Sequence, residues 1–434
     1  MTFMNFNVTV LSFETYNIIL NNVSFINCSC SNGGIVSCES FSDLRLDGCH
    51  FVTGNCSSFI IADDSNLTVN NTCFDGMNCF ASAIKQNREV LVIENAVFEN
   101  FHSKKAAILD FKGACFSIRN SKFRNSAAEL SGGAILAKFF PIETWDGDSG
   151  YVVPGEFVIE NCEFSNLSAG NDGGAIYIDL DSGSSHILQT LNISNSSFTS
   201  CDARFGGALA IQGGAVKIAK SNFTNNTATF EAGAIFTTFS DVSIMDTVIA
   251  NNTAVRNAGA IYFDRGDLDI ASSSLTGNRI LSESEDSAGC IYAHDAVLHF
   301  KDSTFDNVDV SVYADFAGDS KMENVTKNED VFLLDNKNYI VSVETRGIRL
   351  NITKNDTIID RLPDKFNLED YGWVSPLKIQ GDNYDCWAFA TVASLESSLL
   401  KATGNYYNLS VNYIQKMQLK YHPLGDLRIT LTGS

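Results

Sequence analysis

The chain has little positive charge. Its 30 basic residues face 51 acidic ones, for a net charge of −21. That balance opposes binding to DNA, RNA or anionic membrane surfaces and suits a solvated extracellular surface. No run of about 20 apolar residues occurs, so no transmembrane helix is expected. Met1 to Leu20 has no basic stretch followed by an apolar one, so it does not read as a signal peptide. Asn7-Val8-Thr9-Val10-Leu11-Ser12-Phe13 already reads as repeat material, which implies an N-terminus that is truncated or internal to a longer reading frame. The 12 cysteines include no two Cys-x-x-Cys motifs at zinc-ligand spacing, only the lone Cys28-Ser29-Cys30. No metal or cofactor site is expected. Most cysteines read as small apolar core residues; disulfides stay open, since no framework is legible. Proline is scarce, at 5, whereas Gly and Phe are frequent, at 31 each.

What the chain does have is a repeat. At 434 residues, two or more structural units are the default. Along residues 20 to 310 an Asn/Ser-rich turn leads into a strand ending in Phe, then Asn-rich residues, then Gly-Gly-Ala-Ile. The Phe position is filled by Phe25, Phe51, Phe74, Phe98, Phe123, Phe164, Phe198, Phe223, Val248, Leu275 and Phe305. A small residue tracks it, as at Gly133, Gly174, Gly207, Gly233 and Gly259. Two independent markers share one period near 25 residues. Short alternating segments at that period imply one coil of a parallel β-helix per repeat, with about three strands in each coil. Leucine-rich repeats need Leu-x-x-Leu-x-Leu, which is absent, and helical repeats are longer. Phe and Ile are expected to point inward and stack on their equivalents in neighbouring coils. Gly allows positive φ or close backbone passage, and Asn tolerates the left-handed region at turns. Stability then comes from stacking neighbours. Phe123 to Phe164 spans 41 residues and Phe164 to Phe198 spans 34, so residues 139–155 and 180–188 are expected as inserted loops.

The expected fold is mainly β: a right-handed parallel β-helix over residues 1–317, a β-rich cap or linker over 318–361, and an α+β segment over 362–434. Many Asn-x-Ser/Thr triplets, among them Asn22, Asn166, Asn225 and Asn251, fit an exported and glycosylated chain or simply Asn-rich turns.

The sequence changes character at Leu362-Pro363. Leu362 to Gln380, followed by Gly381-Asp382-Asn383-Tyr384-Asp385-Cys386-Trp387-Ala388-Phe389-Ala390, resembles the nucleophile segment of papain-like cysteine peptidases. The likeness runs on through Thr403-Gly404-Asn405 and Leu409-Ser410. Phe389, Val392, Ala393, Leu395, Leu399 and Leu400 predict a helix from Cys386 to Thr403, with Gly404 as its stop. The chemistry can be stated independently. A thiol attacks as thiolate, and a helix N-terminus stabilises that anion. The resemblance implies that Cys386 is the nucleophile. Gln380 would donate to the oxyanion together with the Cys386 backbone N–H. A histidine would then deprotonate the thiol and protonate the leaving amine. The pattern departs from the family at Asn383-Tyr384-Asp385, which stands where Cys-Gly-Ser is usual. Asp385 would raise the thiol pKa, and Tyr384 adds bulk where the substrate backbone passes. His422, the sole later histidine, comes too early in the domain to be the base. Leu427 to Ser434 leaves the family's course, as a frameshift or early stop would. The peptidase segment is therefore expected to be inactive as the chain stands, and active in a parent that supplies His and Asn.

The combination resembles the adhesin-like surface proteins of methanogenic archaea. Bacterial polymorphic outer-membrane proteins share the Gly-Gly-Ala-Ile repeat. The resemblance implies an extracellular or cell-surface protein whose partners are surface polymers, glycans or proteins, and a peptide substrate if the peptidase is active. A lesser alternative is a carbohydrate-active β-helix, which needs clustered carboxylates; Asp172, Asp179, Asp202, Asp264 and Asp267 are the candidates.

Overall fold

A computed structural model describes residues 1–30, 33–52, 56–140, 143–146, 149–152, 155–180, 189–282, 288–306, 311–317, 320–327, 331–335, 343–345, 348–350, 373–376, 378 and 386–411. The chain divides into two compact units, Met1–Tyr339 and Ile340–Ser434. The first is a parallel β-solenoid of about 11 turns with roughly 26 residues per turn.

One coil shows how the sequence builds it. Ser197–Thr199 carries the inward Phe198 and is followed by Asp202–Phe205, Leu209–Gln212 and Ala215–Ala219. There are thus four short segments, not the three expected from the period. The extra division comes from the corners, where left-handed residues turn the chain between segments. In this coil they are Asn195, Ser200, Gly206, Gly213, Gly214 and Lys220. Asn or Gly holds most equivalents of the corners before and after the Phe strand, because a short amide side chain stabilises positive φ.

The Gly-Gly pair does two different jobs. The first glycine turns the chain at positive φ, as at Gly132, Gly173 and Gly206. The second is forced by proximity: a Cβ on Gly174, Gly207 or Gly233 would collide with the carbonyl oxygen of the glycine in the next coil.

Register makes columns. Phe25, Phe51, Phe74, Phe98, Phe123, Phe164, Phe198 and Phe223 pair in parallel across successive coils. Neighbouring rings lie 4.6–5.1 Å apart with nearly parallel planes. The expected inward position at Val248 is corrected. Phe223 pairs with Ile249, which pairs with Leu275, so Ile249 is buried while Val248 points outward, 39% exposed. One residue of slip reverses a strand's faces; the missing aromatic ring at this coil hid the slip.

Two columns of polar groups in the core are satisfied by their own copies. Ser196, Ser221, Thr247, Ser273 and Ser303 are buried just after one corner. Each hydroxyl accepts the backbone N–H of the preceding coil at 3.1–3.3 Å. For Ser196, Ser221, Thr247, Ser273 and Ser303 it also donates to the carbonyl two residues back. Deeper in, Asn226, Asn252 and Asn278 form an amide ladder. Asn226 Nδ2 donates to Asn252 Oδ1 at 3.0 Å, and Asn252 Nδ2 to Asn278 Oδ1 at 2.9 Å. Satisfied in this way, the amides avoid the cost of burying bare polar groups.

The two long gaps are insertions at one corner. The first contains an antiparallel pair, Glu143–Asp146 with Ser149–Val152; residues 181–188 lie outside the described residues. Past residue 317 the parallel ladder continues, with Val331–Asp335 pairing onto Val312–Ala317. Among its described residues the second unit contains an antiparallel pair, Val343–Thr345 with Ile348–Leu350, and a helix, α1, Cys386–Thr403.

Phe164 stacks at 4.7 Å on both Phe123 and Phe198. Phe164→Ala is expected to lower the stability of the solenoid by about 3–5 kcal/mol. The outward Thr199→Ala should change it by under about 0.5 kcal/mol. Urea unfolding followed by circular dichroism checks both; an unchanged midpoint for Phe164→Ala would mean that the ring stack is not what holds the coils.

Candidate active site

The helix forms where the sequence places it. Cys386 is its first residue, and Gly404 ends it at φ 72° with its N–H donating to the Leu400 carbonyl at 2.8 Å. No acidic residue occupies the first turn, so the positive end of the helix dipole at Cys386 is not neutralised from within the helix. Gln380, Asn383, Tyr384, Asp385 and His422 lie outside the described residues, so the expected Cys386–Gln380 pairing has no geometry here.

The inward stripe of α1 differs from the one expected. Ala388 and Val392 are fully buried, whereas Leu395 is 44% exposed. The next member of the stripe is Glu396, fully buried. Spacing of four places all three on one face. Lys378 Nζ donates to Glu396 Oε1 at 2.6 Å, to Asn408 Oδ1 at 3.0 Å and to the Leu409 carbonyl at 2.6 Å. The Leu409 N–H donates to the same Glu396 oxygen at 2.6 Å. One ion pair therefore ties together α1, the segment two residues ahead of Gln380, and the chain after the helix. Glu396 Oε2 is buried with no donor among the described residues. Sequence reading missed this pair. Its signal was a carboxylate standing in phase with Ala388 and Val392.

Ser375 adds to the same anchoring, its N–H donating to Ser397 Oγ at 3.1 Å. Beside it a groove of about 660 Å³ runs along α1, lined by Trp373, Phe389, Ala393, Ser397 and Lys401. The Lys401 ammonium sits 4.7 Å above the Trp373 ring.

The acidic residues considered for sugar chemistry are spread along the solenoid. Asp172 accepts from Ser131 Oγ at 3.0 Å, and burial pushes its carboxyl up. Asp179 is buried and pairs with Lys138 at 2.9 Å. These two act on Tyr177, whose phenol is pushed up to about 12 by burial first and then by their charges. Asp202 accepts from Ser168 at 3.0 Å, Asp264 lies 3.7 Å from Arg265, and the Asp267 N–H donates to Asp241 at 3.2 Å. Asp172, Asp179, Asp202 and Asp264 have local side-chain partners, and the five do not form one group among the described residues.

No family model matches the chain, and no solved structure matches it. The chain is 38% identical over 61 residues to cathepsin 7 of Rattus norvegicus, covering 14% of this chain and 18% of that protein. It is 42% identical over 50 residues to cathepsin K of Mus musculus, covering 12% and 15%. A third likeness, 43% over 49 residues and covering 11% and 14%, is to an Arabidopsis thaliana protein named "Probable cysteine protease RD19B". The chain thus spans less than a fifth of the length of these curated relatives.

Lys378→Met should destabilise the second unit by about 3–5 kcal/mol, because it leaves the fully buried Glu396 carboxyl without its cation. Hydrogen exchange of the amides from Asn405 to Ser410 checks this. Protection equal to the parent would mean that the pair does not anchor this segment.

Proposed function

We propose that the chain is an extracellular, adhesin-like surface solenoid that carries a papain-like cysteine peptidase segment. The observation that carries this reading is the share of the chain given to the solenoid. Most of the described part of the unit Met1–Tyr339 is built from one stacked repeat of about 11 turns. The surplus of acidic residues suits a solvated surface rather than a nucleic-acid partner. Within this reading the rod contacts surface polymers, glycans or proteins, as the likeness to adhesin-like surface proteins of methanogenic archaea implies. The peptidase segment beyond residue 361 belongs to the same proposal, while the parallel ladder runs past the boundary expected at 317.

A second reading is favoured by the C-terminal unit. Helix α1 begins at Cys386, and the short likenesses are to cathepsins. Here Cys386 is the nucleophile for a peptide substrate and Gln380 the oxyanion donor. No residue of this sequence is assigned as the base.

Labelled protein is expected to bind cells or immobilised glycans saturably, in competition with unlabelled protein. Absence of binding to every surface tested would remove the adhesive reading. An epoxide thiol probe separates the two. Labelling at Cys386 in a full-length parent that supplies His and Asn, lost in Cys386→Ala, supports the peptidase reading, and an unlabelled Cys386 in that parent rejects it.

A further inference from the structure

The contact that anchors the second unit brings an amine, a carboxamide and a buried carboxyl group together. Lys378 Nζ lies 2.6 Å from Glu396 Oε1 and 3.0 Å from Asn408 Oδ1. Glu396 is fully buried, and its other oxygen, Oε2, has no donor among the described residues. The Lys378 side chain is largely withdrawn from solvent, at 22% exposed. Neither functional reading uses this trio.

We propose that Lys378 and Asn408 join in an intramolecular isopeptide bond, with Glu396 as the proton carrier. A carboxamide and an amine free in water react very slowly. Held at contact distance within one fold, they gain the advantage of a fixed intramolecular pair. A lysine attacks as the free amine, so its ammonium must first lose a proton. Glu396 stands at hydrogen-bond distance to take it.

The step balances without oxidant or co-reactant. Glu396 takes one proton from the Lys378 ammonium. Rotation about Cε–Nζ turns the freed lone pair to Cγ of Asn408, and the Nζ–Cγ bond forms. Nζ sheds a second proton to Nδ2 as the Cγ–Nδ2 bond breaks, and Nδ2 leaves as ammonia. The proton on Glu396 departs with it as ammonium, which restores the carboxylate. One ammonium group and one primary amide become one secondary amide and one ammonium ion. The Leu409 carbonyl is equally near Nζ, at 2.6 Å. Attack there would expel the amine of Ser410, which stays tethered and reverses the step. Ammonia from Asn408 diffuses away, so only the side-chain reaction is drawn to completion.

The two residues lie 30 positions apart, and all of α1 falls between them. The bond would close that stretch into a covalent loop and restrict its unfolded state.

Mass spectrometry of the purified full chain tests this. The expected protein is one ammonia lighter than its sequence. Trypsin should fail to cut after Lys378, and the peptides carrying Lys378 and Asn408 should be recovered as one joined species. Asn408 is exposed, so Asn408→Ser removes the reacting group with little cost to packing. That variant should keep its full mass, give separate peptides and melt below the parent. Glu396→Gln should also leave the peptides separate; joining at the parental rate overturns the part given to Glu396. Circular dichroism of both variants separates a lost bond from a lost fold. A parent at full mass overturns the proposal. So does a parent one ammonia lighter whose two peptides are still separate, as a cyclic imide at Asn408 would give.

Discussion

The axial spacing between coils governs everything in the solenoid. Parallel pairing fixes it at about 4.8 Å. Once it is fixed, each side chain meets its own counterpart above and below. A planar ring fits that interval, so Phe stacks on Phe from coil to coil. A hydroxyl fits it too, reaching the neighbouring amide while bonding its own strand. An amide fits best of all, since it donates and accepts along the same axis. The core can therefore contain Ser, Thr and Asn beside Phe and Ile. In a globular core each such group would need an individually placed partner.

The second unit solves burial differently. Glu396 has no copy of itself to bond with and depends on Lys378 and the Leu409 amide. A buried pair of this kind adds little net stability but strongly disfavours other arrangements of the same segments. It holds Lys378 and the chain at Asn408–Leu409 on one helix. Periodicity organises one unit and a single specific contact organises the other.

Legibility followed the same division. The solenoid was readable because Phe and Gly recur with a common period, and the corners because Asn and Gly mark left-handed backbone. The register failed by one residue at Val248, where no ring marks the inward position and both Val248 and Ile249 are apolar. The count of segments per coil was low because the short segment after the Phe strand, as at Asp202–Phe205, carries no ring or glycine pair of its own to mark it as separate. In the helix, its ends were legible from Cys386 and Gly404, but its buried face was not. Hydrophobic patterning has no way to rank Glu396 above Leu395 until Lys378, far away in sequence, is seen beside it.

Both insertions leave the solenoid at the same corner, after Ile135–Phe139 and after Ile176–Asp179. The ladder on the far side is undisturbed: Phe116 pairs with Phe157, Phe157 with Leu191, and Leu191 with Val216. Chain length at this corner is thus uncoupled from core register, and lengthening a loop costs only a slowly growing entropy. The corner is a port. New sequence can enter the lineage there, or be grafted by hand, and be carried on the flank of a rod whose interior does not register the change.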